Sequence, residues 1–213
     1  QILRGLASTL KGSEEPAAAA IADALQAASA AAYQAVLKPI EGTILTVVRA
    51  SADGARAAAD GGASLVYVVR AARAAAKMAL DNTPEQLPVL KDAGVVDAGG
   101  AGYLLFLDAA LHVVAGGALP EAGVDDDASG VTGAAFAAVA HRTSDDGGLD
   151  VSEQRYEVMY FLDLADERID DFKNGWGAIG DSIVVVGGEG LWNCHVHTND
   201  VGAASTIVPV ALS

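Results

Sequence analysis

The chain has 213 residues, with 28 acidic against 13 basic side chains and a formal net charge of −15. That balance leaves no basic face for nonspecific binding to nucleic acid or anionic lipid. A single cysteine, Cys194, excludes an intramolecular disulfide framework and fits a reducing, cytoplasmic compartment.

Hydrophobic residues make up 52% of the chain, but much of that is alanine and only 5% is aromatic, which favours closely packed helices. No stretch has the form of a signal peptide or an integral membrane segment. The most apolar run, "YLLFLDAALHVVAGG", is interrupted by Asp108 and His112 and is shorter than the roughly 20 residues that a bilayer needs. The opening "QILRGLASTL" has Ile2, Leu3, Leu6 and Leu10 at helical spacing, as if the sequence began inside a helix.

Residues 1–117 read as one helix after another. "PAAAAIADALQAASAAAYQAVLKP" sets Ile21, Leu25, Ala28, Ala32 and Val36 along one face, with Pro39 as the stop. A second helix is expected from about Thr43 to Ala59 and a third from about Leu65 to Leu80. Thr83 has the form of an N-cap, with Pro84 at the first helical position and Gln86 completing a capping box. That short helix ends near Gly94. A last one occupies Gly102 to Val114, preceded by a glycine-bearing interhelical turn, Asp97-Ala98-Gly99-Gly100.

Residues 118–150 form an acidic, glycine-bearing linker around a small apolar piece, "AAFAAVAH". From Arg155 the pattern becomes β. "RYEVMYFLDL" alternates as a strand, and "ERIDDFKNGWGAI" is a short helix. "DSIVVVGG" and "LWNCHVHTN" are two strands joined at Gly188-Glu189-Gly190, and "DVGAASTIV" begins another helix. Residues 151–213 thus make a small α/β module of order β-α-β-β-α. The fold class is α plus α/β.

His195 and His197 lie two apart on the last strand, so both project from one face while Cys194 and Val196 face the other way. Two imidazoles so placed can share a Zn²⁺ ion if further ligands come from elsewhere; otherwise they are two ordinary, partly exposed histidines. The His-x-His hydrolases do not fit. Sixteen residues after His197 cannot hold a barrel, and Thr198-Asn199-Asp200 lacks the Asp-His pair of the metallo-β-lactamase pattern.

Three segments in order, "KPIEGTILTVVRASADGA" (38–55), "TPEQLPVLKDAGVVDAGGAGYLLFLDA" (83–109) and "YEVMYFLD…WGAIGDSIVVVGGEGLWNCHVHTNDVGAA" (156–204), resemble the bacterial fatty acid kinase A-like proteins. These are DAK2-domain relatives of the ATP-binding L subunit of dihydroxyacetone kinase. The resemblance implies an antiparallel helix barrel that binds ATP, followed by an α/β middle domain with a metal site and a part in homodimerisation. It implies a nucleotide end at Gly42, Thr43, Asp97, Gly99 and Gly100, although Thr43 also suits a plain N-cap.

It implies metal ligation by His195 and His197, with Glu157 standing where the family pattern has a cysteine, an oxygen donor that zinc accepts. The implied activity is phosphoryl transfer from ATP to the carboxylate of a fatty acid held by a carrier protein. The family's Mg²⁺-binding aspartates precede the segment matching "QILRGLA" and are not in this sequence, so the chain alone is not expected to phosphorylate a substrate. A metal-stabilised dimerisation module is the non-catalytic alternative, and a dihydroxyacetone-type kinase is the other catalytic one.

Overall fold

A computed structural model describes residues 1–116 and 154–207; the expected linker 118–150 lies outside the described residues. The chain divides into two compact units. Among the described residues the first comprises 1–33 and 40–116, and the second 34–39 and 154–207.

The first unit is helical: α1 (Ile2–Leu10), α2 (Ala18–Ala35), α3 (Ile44–Asp60), α4 (Leu65–Asp81), the short α5 (Thr83–Gln86) and α6 (Pro88–Ala93), and α7 (Ala98–Ala115). Its core is made mostly of small residues at helical spacing. On α3, Leu45, Val48, Ala52 and Ala55 are buried; on α4, Val68, Ala72, Ala76 and Leu80; on α7, Tyr103, Leu104 and Leu107. Small side chains let the axes approach closely. A Cβ added at Gly54 of α3 would lie 2.7 Å from the Ala75 Cβ and 2.9 Å from the Ala71 carbonyl oxygen of α4. The buried polar contact between α3 and α7 is closed: Tyr103 donates to Ser51 Oγ at 2.8 Å, and Ser51 donates to the Val48 carbonyl at 2.8 Å.

Three sequence expectations need correction here. Thr83 does not cap α5. Its fully buried hydroxyl donates to the Leu80 carbonyl at 2.7 Å and accepts from the Asp97 N–H at 3.1 Å, so it ties the end of α4 to the start of α7. The expected glycine turn at Asp97–Gly100 is the first turn of α7 itself, with Asp97 as its N-cap. The apolar stretch is also longer than the sequence run suggested. α7 has 18 residues at mean hydropathy 1.5, long and apolar enough to cross a membrane by length and composition. Here it buries Tyr103, Leu104 and Leu107 in the helical core, and its Asp108 pairs with Arg73 of α4 (Nε to Oδ1, 2.5 Å).

The second unit is a three-stranded antiparallel sheet with helices on one side. Its elements are β1 (Tyr156–Asp163), α8 (Ile169–Gly177), β2 (Gly180–Gly188), β3 (Leu191–Thr198) and α9 (Val201–Thr206), with a 3₁₀ turn at Asp166–Arg168. The strand order is β1-β3-β2, which places the histidine strand in the centre. Glu189 (φ 54°) and Gly190 (φ 84°) form the two-residue loop between β2 and β3. Asp166 accepts both of their N–H groups, at 3.2 and 2.9 Å.

Period-two alternation sorts the sheet into two faces. Leu162, Ile183, Val185, Cys194 and Val196 enter a core with Phe172 and Trp176, both 0% exposed. Burying each of those aromatic side chains is worth about 2–3 kcal/mol. Tyr160 Oη and Trp176 Nε1 both donate to the Ala204 carbonyl, at 3.0 and 3.1 Å, which fixes α9 onto this core. Pro39 is not what ends α2. The helix stops at Ala35 because residues 34–39 belong with the sheet unit: Val36 bridges Val184, and the Leu37 N–H donates to the Ile183 carbonyl at 3.2 Å.

Candidate functional site

In the helical unit, the residues singled out from the sequence gather at the starts of α3 and α7. Gly42 has φ +81°, a left-handed conformation that favours glycine, and a Cβ there would also meet the Leu87 Cβ at 2.8 Å. Its N–H donates to Thr46 Oγ1 at 2.9 Å. Thr43 caps α3, accepting from the Leu45 N–H at 3.3 Å and donating to the Ile40 carbonyl at 2.8 Å. Its one hydroxyl proton is therefore committed to its own loop.

Asp97 Oδ2 accepts from the Gly100 N–H at 2.7 Å. Gly99 and Gly100 are small because neighbours crowd them. A Cβ at Gly99 would lie 3.2 Å from the Ile44 Cβ, and one at Gly100 would lie 2.8 Å from Val47 Cγ2. Gly99 thus sets the first turn of α7 against the first turn of α3. Gly42, Thr43, Asp97, Gly99 and Gly100 share one end of this unit.

Sequence reasoning missed the cluster that holds this end in shape. Glu41 takes both Arg49 guanidinium nitrogens, at 2.7 and 2.8 Å, the Thr46 hydroxyl at 2.5 Å and the Tyr33 hydroxyl at 3.1 Å. Burial alone would raise the Glu41 pKa, but hydrogen bonds from Thr46, Arg49 and Tyr33 outweigh it and hold the carboxyl below the ordinary glutamate value. The only sequence signal was an acid directly before a Gly-Thr pair, with an arginine on the helix that follows.

In the sheet unit, Glu157 of β1 lies opposite His197 of β3, and Met159 lies opposite His195. Directly opposed residues share a face, so Glu157, His195 and His197 all stand on the side of the sheet away from the aromatic core. One ligand atom from each lies within 4.8 Å of the others, and Glu157 Oε1 is 3.2 Å from His195 Nδ1. The two imidazole centroids are 4.9 Å apart.

Tetrahedral Zn²⁺ with bonds of about 2.0–2.1 Å has ligand–ligand edges of about 3.3 Å, so the Glu157–His195 edge at 3.2 Å already matches and the other two lie within 4.8 Å. Two neutral imidazoles and a carboxylate are a zinc donor set that leaves a fourth position for water. Cys194 takes no part. It is fully buried on the opposite face, and burial pushes its thiol pKa up to about 11, far from the thiolate a metal needs.

The chain matches known proteins along both units. Residues 1–112 match the DAK2 domain family, and residues 153–209 match the family of fatty acid kinase A-like (FakA-like) middle domains. A Bacillus subtilis (strain 168) protein called Protein YloV is 33% identical over 208 residues, covering 95% of this chain and 37% of that protein. An uncharacterized protein of Staphylococcus epidermidis is 32% identical over 208 residues, covering 95% of this chain and 36% of its own length. One from Staphylococcus aureus (strain USA300) is 30% identical over 211 residues, with 95% and 37% covered. The chain therefore spans little more than a third of the relatives it matches. With both units matched in order, the chain belongs to the DAK2-domain proteins that carry a FakA-like middle domain.

Proposed function

We propose that this chain is part of an ATP-dependent kinase that acts in the cytoplasm on the carboxylate of a fatty acid presented by a carrier protein. A carboxylate oxygen of the acid attacks the γ-phosphorus of ATP, the bond to the β,γ-bridging oxygen breaks, and an acyl phosphate and ADP result. The observation that carries this reading is the order of the two matched families along one chain, DAK2 before the kinase's middle domain.

In this reading Gly42, Thr43, Asp97, Gly99 and Gly100 form the nucleotide end of a DAK2-type helix barrel. Because the Thr43 hydroxyl proton is committed to Ile40, and Thr43 and Asp97 cap the starts of α3 and α7, what the segment offers a nucleotide is the backbone around Gly42 and Gly99. Mg²⁺ on the phosphates is held by residues outside this sequence. Glu157, His195 and His197 hold Zn²⁺ in the sheet unit, which also joins two copies into a homodimer. The second reading, a metal-stabilised assembly module without turnover, draws on the same committed hydroxyl.

The test is a transfer assay on the full-length parent with ATP, Mg²⁺ and a purified carrier loaded with fatty acid. Acyl phosphate is trapped as its hydroxamate, and zinc content is measured alongside. The expected result is hydroxamate formation that requires the loaded carrier, with one zinc per chain. Bound zinc with no nucleotide binding and no hydroxamate would favour the assembly module instead. Phosphorylation of dihydroxyacetone in place of the fatty acid would overturn the substrate.

A further inference from the structure

Among the described residues, the His197 ring has no hydrogen bond, although it stands in the middle of a row of acids. On one side, across β1, is Glu157; on the other, across β2, is Asp181. Opposed residues of an antiparallel pair share a face, with Cβ atoms about 4.5–5.5 Å apart, so Asp181 and His197 project side by side.

Their closeness is enforced by the backbone. The preceding residue, Gly180, has no room for a side chain: a Cβ there would lie 2.3 Å from the His197 carbonyl oxygen and 2.6 Å from Val196 Cγ2. Thr198 Oγ1 donates to the Ile179 carbonyl at 2.7 Å and pins the same stretch from the other strand. Directly after Asp181 the pairing slips, resuming only at Val184. Ser182 is forced to φ +51° within that irregularity. Asp181 Oδ1 stabilises it by accepting the Ser182 N–H at 2.7 Å. Bulges of this kind re-aim a side chain next to a site. One carboxylate oxygen thus fixes the strand, and the other has no hydrogen bond among the described residues.

We infer that Asp181 is the positioning residue for His197 as a metal ligand: its second carboxylate oxygen accepts the imidazole N–H that faces away from the metal. This rests on the proposed zinc site at Glu157, His195 and His197. A ligating histidine generally gives its other N–H to a carboxylate or carbonyl, which fixes the tautomer, orients the ring and raises ligand basicity. His195 has Met159 and Val184 as its cross-strand neighbours, so among the described residues the carboxylate at its ring is that of Glu157, which reaches it diagonally. His197 is the ligand with a second acid opposite it in the strand register. The strand register sets Asp181 opposite His197, and with Asp181 Oδ1 held by the Ser182 N–H it is the His197 ring that turns to close the bond.

The test compares the wild-type chain with Asp181→Asn and His197→Ala. Zinc affinity is measured by competition with a chromogenic chelator, and the tautomer of His197 in the zinc-bound form is read from imidazole ¹⁵N shifts. Asn keeps the Oδ1 that accepts from Ser182, so the strand irregularity is retained while the charge is lost. The measurements are made well below the melting transitions of all three proteins, so a lowered transition alone does not decide the outcome.

Zinc affinity falling 10- to 100-fold in Asp181→Asn, with the His197 tautomer no longer fixed, is the expected result. His197→Ala should lose binding altogether. If the wild-type chain binds no zinc, the metal site itself fails and Asp181 has nothing to position. If the wild type binds and Asp181→Asn binds equally well, the zinc site stands and the role of Asp181 is overturned. A change in the intensity of the Co²⁺ d–d bands of Asp181→Asn with an unchanged tautomer would make Asp181 a direct ligand, which also overturns the positioning role.

Discussion

The helical unit and the sheet unit reach a packed interior by opposite means. The helical core is dominated by alanine: Ala22, Ala28, Ala52, Ala55, Ala72 and Ala76 are all 0% exposed. The sheet core is organised around Trp176 and Phe172, whose rings are 4.6 Å apart, with Tyr160 edge-on to Trp176 at 5.3 Å. The first is held by how closely backbones approach, the second by how completely large side chains fill a volume. The units should therefore fail in opposite ways. Removing atoms harms the sheet unit, and adding atoms harms the helices.

The largest effect is expected from Trp176→Ala. It empties the centre of the sheet core, breaks two aromatic contacts and removes one of the two donors to the Ala204 carbonyl. Truncations of this kind cost about 3–5 kcal/mol. Both tryptophans of the chain, Trp176 and Trp192, lie in the sheet unit, so Trp192 fluorescence still reports that unit in the variant. Urea unfolding followed by fluorescence should shift strongly, while far-UV circular dichroism keeps most of its helical amplitude over the same range. A shift of both signals together would show that the two units do not unfold separately.

Gly54→Leu is the opposite experiment. The added side chain starts from a Cβ 2.7 Å from Ala75 and 2.9 Å from the Ala71 carbonyl oxygen, so α3 and α4 must move apart. Overpacking of this kind costs about 1–3 kcal/mol. The loss should appear in circular dichroism and leave tryptophan fluorescence unchanged. A cost below about 0.5 kcal/mol, the usual range of an indifferent surface change, would mean that close approach does not hold this unit together.

These differences explain what the sequence could show. Helices such as α3 and α4 were legible because their periodic apolar residues are local information. The alternation of β1 exposed Glu157 and buried Leu162 as its pattern required. His195 and His197 were legible as a pair because spacing of two on a strand dictates a shared face.

What escaped depends on contacts far apart in sequence. Thr83 has the form of a capping residue, yet its hydroxyl serves Leu80 and Asp97. The end of α2 at Ala35 follows from a bridge to Val184 that no local pattern announces. Asp181 meets His197 only through the strand register and the slip that follows it. Gly99 and Gly100 read as an interhelical turn because glycine signals a turn by default; here they are helical and small for steric reasons.

The smallest expected effect lies at the start of α3, where the helical unit departs from its own rule and relies on charge. Glu41 holds Arg49, Thr46 and Tyr33 around the Gly42 loop, and its folded pKa is depressed. A carboxyl with a depressed folded pKa contributes stability that is fully present above its unfolded value and is lost as pH falls through the folded value. Since the Glu41 side chain is 46% exposed, solvent screens the pair, and the contribution is about 0.5 kcal/mol. Glu41→Gln should be weaker than wild type by that amount at pH 7, with the gap closing as pH drops below the ordinary glutamate range. The measurement is urea unfolding of both proteins by circular dichroism at several pH values in that window. A gap that stays constant with pH would assign the effect to lost hydrogen-bond geometry rather than to the carboxylate charge, and the start of α3 would then be held, like the rest of its unit, by fit alone.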